Sequence, residues 1–311
     1  MKSLFLCIFI SLSFNLQASE LDSLTRRYEP LKDSTDFFNA EINSRILRVV
    51  AKANKKDLNG ESCNPKSLLK STRNILVAGI SGMYIFSPLQ KIVDSKKSVG
   101  FERLRTKHKE SIYRFIKFYQ KPVLKAFPLS PIIKINDVII GGDKFSHFFN
   151  LGYEYFSKLQ KGKKTLIEML EHSRSVEEHF WGGPTTSVIS MGDLSTNYQG
   201  LRFFGHLTGV GIDPLTGEAN SKNPIVTCVD GEFVQSRLFD LRSYVDHAWD
   251  EGINCNNYHK VKYADLVTLA VNTLEESSPK GFACPVRPTD CKKLGRKYQL
   301  HGEFFLHAMC L

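Results

Sequence analysis

The chain has 311 residues and a formal net charge of +10, with 42 Lys and Arg against 32 Asp and Glu, and 42% of its residues are hydrophobic. That length suits one large or two smaller domains with a full core. Beyond the N-terminus no run approaches the roughly 20 apolar residues of a spanning helix, and there is no internal repeat, low-complexity tract or nucleic-acid motif.

Met1-Lys2-Ser3 precedes an apolar run, Leu4 to Leu12, that ends near Leu16-Gln17-Ala18. This pattern predicts a signal peptide over residues 1–18 and a periplasmic or secreted product beginning near Ser19. Asp36 to Ala53 is expected to be an amphipathic helix behind Ser34-Thr35 as caps, and Pro65 to Ile80 a second, with proline in its first turn. The segment Lys91 to Lys125 carries eleven Lys and Arg against three acids, Asp94, Glu102 and Glu110. Within it, Leu104, Ile112, Phe115, Ile116 and Tyr119 have helical spacing, which predicts a helix over Glu102–Tyr119. Such a charge run is either a solvated helix face or an attachment to an anionic envelope polymer or surface.

Two prolines in Phe127-Pro128-Leu129-Ser130-Pro131 suggest a boundary between a basic, helical region (19–130) and a site-bearing domain (131–311). Ile132 to Ile140 reads as β-like and ends at Gly141-Gly142. Helices are then expected over Asp143–Leu159, Lys163–His179 and Gly192–Leu207. A hairpin is expected around Asp230-Gly231, followed by helices near Leu241–Trp249 and Tyr263–Glu275. The fold class is therefore mostly α with a small β element. Removing Cys7 with the leader leaves Cys63, Cys228, Cys255, Cys284, Cys291 and Cys310, an even set that predicts disulfides in an exported chain. The simplest pairing by proximity in sequence joins Cys284 to Cys291 and Cys228 to Cys255, leaving Cys63 with Cys310.

Three constellations could carry chemistry. Asp143, His147 and Glu154 fall on one face of a helix, beside Phe145, Phe148 and Phe149. The bland alternative is a capping Asp and a hydrogen-bonded His. Glu177 and Glu178 close the preceding helix next to Phe180, Trp181 and the Gly182-Gly183-Pro184 turn. A carboxylate at a helix C-terminus in apolar surroundings is disfavoured as the anion, so Glu178 is a candidate general acid. Asp193 and Asn197, four apart on the next helix, are candidates for the second carboxylate and a positioning amide. Ser190-x-x-Asp193 is equally a helix cap. The third constellation is the histidines: His147, His179 and Asp193 could assemble a metal-dependent hydrolase, although there is no H-E-x-x-H motif. Tyr244 and Trp249 could stack on a sugar or pack in the core.

The acid at a helix end, the Gly182-Gly183 turn and Thr185-Thr186-Ser187 resemble the lysozyme superfamily, including its chitosanase-like members. The match covers about thirty residues and departs from the family at Ser187-Val188, where a glycine is usual. The resemblance implies a helical lysozyme-like domain that cleaves glycan with no cofactor or metal. Glu178 would be the acid, with Asp193 or Glu177 positioning water; Asp193, Glu154 and Asp143 are the candidates for the second carboxylate. Thr186, Asn197, His147 and Tyr198 would position substrate or water. The expected function is hydrolysis of peptidoglycan or another anionic envelope polymer, without a specific nucleic-acid partner. A non-enzymatic envelope-binding or scaffold protein and a metal-dependent hydrolase are the alternatives.

Overall fold

A computed structural model describes residues 20–57, 62–77 and 86–311. The leader expected at 1–18 lies outside the described residues. Helices predominate, and the strands form three antiparallel pairs among the described residues.

Thr35–Asp57 (α1) carries Phe38, Ile42, Ile46, Val49 and Ala53 at helical spacing, and all are fully buried. The second helix, Pro65–Ser71 (α2), starts as its proline indicates, with the Asn64 side chain capping the N–H of Lys66. It stops before the expected Ile80. Asn74 takes a left-handed conformation, φ 68°, and its N–H bonds Val77 O in a tight turn; residues 78–80 lie outside the described set. Pro88–Asp94 (α3) and the short Pro122–Ala126 (α4) also begin at prolines.

No helix forms over 102–119. Leu104 exchanges backbone hydrogen bonds of 2.9 and 2.8 Å with Ile132, which pulls the start of the segment into a β-bridge. The Asp22 carboxylate then accepts from Ile112 N, and the chain continues as successive turns. Ile112 and Ile116 are buried as their spacing implies, but Tyr119 is 81% exposed. Tertiary bonds have overridden a helical pattern whose apolar face was only partly needed.

The hairpin Ile132–Ile135 (β1) and Val138–Gly141 (β2) turns at Asn136-Asp137, both with positive φ. A continuous helical run follows over 144–160 (α5), with a wide π-turn at His147–Leu151 between α-helical ends. Leu166–His179 (α6) starts with a complete capping box between Thr165 and Glu168. The π-turn Gly182–Thr186 and the two-residue strand Val188–Ile189 (β3) lead into Met191–Thr208 (α7), the most buried helix. The second expected hairpin is present, Val226–Val229 (β4) with Glu232–Gln235 (β5). The helix expected at 241–249 is instead two 3₁₀ turns, because Asp240 and Asp246 each cap a new turn. Asn257–Tyr258 (β6) pairs with β3, and Val261–Glu276 (α8) and Pro288–Lys297 (α9) are followed by 3₁₀ turns at Gly302–Phe304 and Ala308–Cys310.

The largest core unites α1 with α5, α7 and the 239–249 segment. Phe38 packs on Phe145, and Phe148, Phe149, Phe203, Tyr244 and Trp249 interlock with ring centroids 4.9–5.6 Å apart. Tyr244 and Trp249 are core residues, fully buried. Residues on both sides of Phe127–Pro131 contribute to that core. Helices α5 and α7 cross with their backbones in contact. A Cβ on Gly200 would lie 2.1 Å from Phe148 O, and one on Gly152 would lie 2.5 Å from the Gly200 backbone.

Six cysteines form three disulfides, but in other pairs than sequence proximity suggested: Cys63–Cys228, Cys255–Cys284 and Cys291–Cys310. The β4–β5 hairpin lies on α1, which brings Cys228 to the start of α2 instead of to Cys255. Such bonds persist in an oxidising compartment. Among the described residues no helix is long and apolar enough to cross a membrane.

Candidate functional site

The polar centre of the molecule is Lys144, a fully buried lysine. Its Nζ donates to Asp143 Oδ2 at 2.8 Å, Asp193 Oδ1 at 2.6 Å and Glu251 Oε1 at 2.6 Å. Three elements supply these groups: the start of α5, the first turn of α7 and the loop after the second 3₁₀ turn. Burying an ammonium is costly, and three close carboxylates are what keep it charged in place. Burial works against the charged form, and the neighbouring acids overcome it, so the ammonium is held well above the ordinary lysine range.

The network extends in two directions. Towards the surface, His147 Nε2 lies 3.2 Å from Asp193 Oδ2, and its Nδ1 lies 3.1 Å from Asn197 Oδ1. Asn197 Nδ2 in turn donates to Ser173 Oγ on α6. His147 is the most accessible member, its side chain about one-fifth exposed. Inward, Ser190 caps α7 by accepting from Asp193 N, donates its Oγ–H to Glu251 Oε1, and offers its backbone N–H to Glu177 Oε1 at 3.2 Å. Asn256 donates to the other Glu251 oxygen.

The carboxyls in this cluster are pushed apart. Burial, with Asp193 adding to it, drives the Glu177 carboxyl well above the usual range. Burial would also raise Asp193, but His147 and Lys144 beside it, with a hydrogen bond from Lys144, hold it below its ordinary value. Glu251 is raised by burial, opposed by Lys144. A second buried acid, Glu20, is raised by burial and by Glu251. One carboxyl held above its ordinary value beside one held below it is the pattern of acid and base partners.

Local sequence permits this arrangement. A Cβ on Gly182 would meet Glu177 Oε1 at 2.3 Å and Val188 O at 2.0 Å, so the turn after α6 can fold over Glu177 only with glycine there. The π-turn at 147–151 widens α5 beneath His147 and shifts the following register by about one residue. That shift explains why Glu154 does not line up with His147. Glu154 bonds Lys158 at 2.6 Å on the same helix, away from the network.

Of the residues picked from sequence, the structure brings together Asp143, His147, Asp193 and Asn197. It places Glu178 elsewhere: one step further round the helix than Glu177, it accepts from Arg174 Nε at 2.8 Å and is partly exposed. Thr186 is buried in the π-turn, donating to Gly182 O and accepting from Val188 N. Tyr198 is buried and stacks on Phe305, with ring centroids 4.7 Å apart. His179 bonds Ser175 O on its own helix, outside the cluster. Lys144 and Glu251 were missed. The lysine's signal was its place between Asp143 and Phe145 at a helix start, and Glu251 lay in an acidic run with no periodicity.

Asp143, His147 and Asp193 each offer one donor atom within 4.8 Å of the others, a set able to hold a cation. Two carboxylates and an imidazole suit a borderline divalent ion, although the Lys144 ammonium already lies against both carboxylates. No protein-family model, curated protein or solved structure matches the chain.

Proposed function

We propose that the protein is an exported hydrolase of cell-wall glycan in which Glu177 acts as general acid and Asp193, steadied by Lys144 and His147, acts as its carboxylate partner. The observation that carries this reading is the pairing across Ser190. Its backbone N–H holds Glu177, and its hydroxyl caps the helix turn that presents Asp193. Glycosidic cleavage needs one protonated and one ionised carboxyl at such a site. The resemblance of the Glu178–Ser187 stretch to the lysozyme superfamily and the excess of basic residues support a glycan of an anionic envelope as substrate class. In this reading the acid is the inward neighbour of Glu178, since Glu178 is committed to Arg174.

His147 is the edge at which a substrate oxygen would enter. Asp193 and Asn197 engage its two ring nitrogens, so the imidazole orients and steadies the Asp193 carboxylate. Activity should decline as pH rises through the raised value of Glu177, because its protonated form is the reactive one. The test is clearing of purified sacculi. Glu177→Gln and Asp193→Asn should each abolish clearing while leaving the fold intact, and Glu178→Gln should retain it. Loss only in Glu178→Gln, or clearing that survives all three, would overturn the assignment.

The Asp143, His147 and Asp193 donors support a second reading, a metal-dependent hydrolase. It predicts that chelation abolishes clearing and that a divalent ion restores it. Acid–base cleavage by Glu177 and Asp193 alone predicts no effect of chelator.

A further inference from the structure

We infer that the surface formed by residues 117–121 and the start of α8 is a docking site for an anionic lipid surface. The proposal is independent of the hydrolase reading. Phe118 is 62% exposed, Tyr119 81% and Val261 78%, high values for large apolar side chains on a folded protein. They are flanked by Lys117, Lys260 and Lys262, all exposed.

The two segments are held side by side. Tyr263 Oη reaches Gln120 O at 3.5 Å, and two ammonium groups lie over its ring, Lys121 at 5.3 Å and Lys262 at 4.8 Å from the centroid. Lys121 is itself buried and donates to Gly183 O and Pro184 O, so it anchors the segment to the turn after α6. The anchored backbone leaves Phe118 and Tyr119 facing outward on a fixed loop. Charge crowding is evident at Lys121, which burial and then Lys260 and Lys262 hold below the ordinary lysine value. The nearest acids along these segments, Glu110 and Asp265, are outnumbered.

This chemistry fits a lipid headgroup region better than a wall polymer. Aromatic and aliphatic side chains enter the boundary between headgroups and acyl chains, while lysine ammoniums stay at the phosphate level. A glycan would call for amide and carboxylate partners around the ring. Here the Gln120 amide accepts from Lys117 N through its oxygen, and lysines predominate around the ring. The lysines supply the attraction, and the apolar trio supplies the insertion.

The experiment is co-sedimentation of the purified protein with vesicles of phosphatidylcholine alone and of equal parts phosphatidylcholine and phosphatidylglycerol, with purified sacculi as a third arm. Binding to the anionic vesicles should be at least about tenfold tighter than to the neutral ones, and should weaken as salt rises. Lys117→Glu, Lys260→Glu and Lys262→Glu combined should erase that preference. Phe118→Ser with Tyr119→Ser should weaken binding to the anionic vesicles about tenfold or more. Because these side chains are exposed, all variants should keep the parent Tm. Equal binding to both vesicle types, or full binding by the Phe118 and Tyr119 variant, would overturn the proposal. Retention on sacculi that needs the same three lysines, without vesicle binding, would also overturn it and assign the surface to the wall polymer.

Discussion

Replacing Lys144 with methionine isolates the energetic role of the buried network. The substitution keeps the length and apolar stem of the side chain and removes the one charge that three carboxylates share at 2.6–2.8 Å. Breaking a buried ion pair by deleting one partner costs about 3–5 kcal/mol, because the remaining charge stays buried without compensation. For a chain of this length the unfolding entropy is about 0.65 kcal/mol/K, so Tm should fall by about 5–8 °C at pH 8. The loss should depend on pH in a defined direction. Without the ammonium that opposes it, burial raises the Glu251 carboxyl further above its unfolded value. Its contribution is then favourable below the unfolded value and is lost as pH rises through the folded one. Lys144→Met should therefore be closer to the parent at pH 5 than at pH 8. Thermal and urea unfolding at both pH values, with disulfides intact, measures this. Lys32→Met serves as control, since the Lys32–Glu102 pair is largely solvated and should shift stability by no more than about 1 kcal/mol. A loss below about 2 °C at pH 8, or an equal loss at pH 5 and pH 8, would refute the reasoning.

Three further outcomes are expected. Gly182→Ala should abolish sacculus clearing, because its Cβ would drive Glu177 Oε1 from the Ser190 N–H; unchanged clearing would show that this contact is not needed. Removing Cys63–Cys228, with a separation of 165 residues, should cost about 5 kcal/mol by chain entropy, against about 3 kcal/mol for Cys291–Cys310, with a separation of 19. Equal losses in denaturant titrations of the two double-serine variants would contradict that ordering. Asp213 would be raised by burial, but hydrogen bonds from Arg202 and His206 hold its carboxyl far below the usual range. Its stabilisation should be complete above the unfolded value of about 3.9 and lost progressively as pH falls below it, a dependence that Asp213→Asn should remove.

Local periodicity carried much of the secondary structure. The apolar spacing of Phe38 to Ala53, the Thr165–Glu168 capping box and the Asp230-Gly231 turn each have a local physical cause, and each element formed. Where the expectation failed, a distant partner decided. Leu104 was taken by Ile132, and Asp22 bonded Ile112, so the 102–119 pattern buried its apolar residues without a helix. Disulfide pairing failed for the same reason, since the packing of β4–β5 on α1 is not written in the spacing of the cysteines. The site was partly legible. Asp143, His147, Asp193 and Asn197 share helix faces that i,i+4 spacing reveals, and they do meet. Lys144 and Glu251 come from adjoining or remote segments, and no spacing rule links residues 107 apart in the chain.

The Gly152–Gly200 crossing locks α5 and α7 backbone to backbone, and the third wall of the network is pinned by the buried Arg27–Asp250 pair and by Cys255–Cys284. If the cluster hydrolyses glycan as proposed, the dipoles and charges around His147 are set during folding, before substrate arrives, and little reorganisation energy would remain to be supplied at the moment of reaction. Ligand entry should leave the amide-exchange rates of α5 and α7 unchanged, and selectivity would come from which molecules fit a rigid electrostatic template.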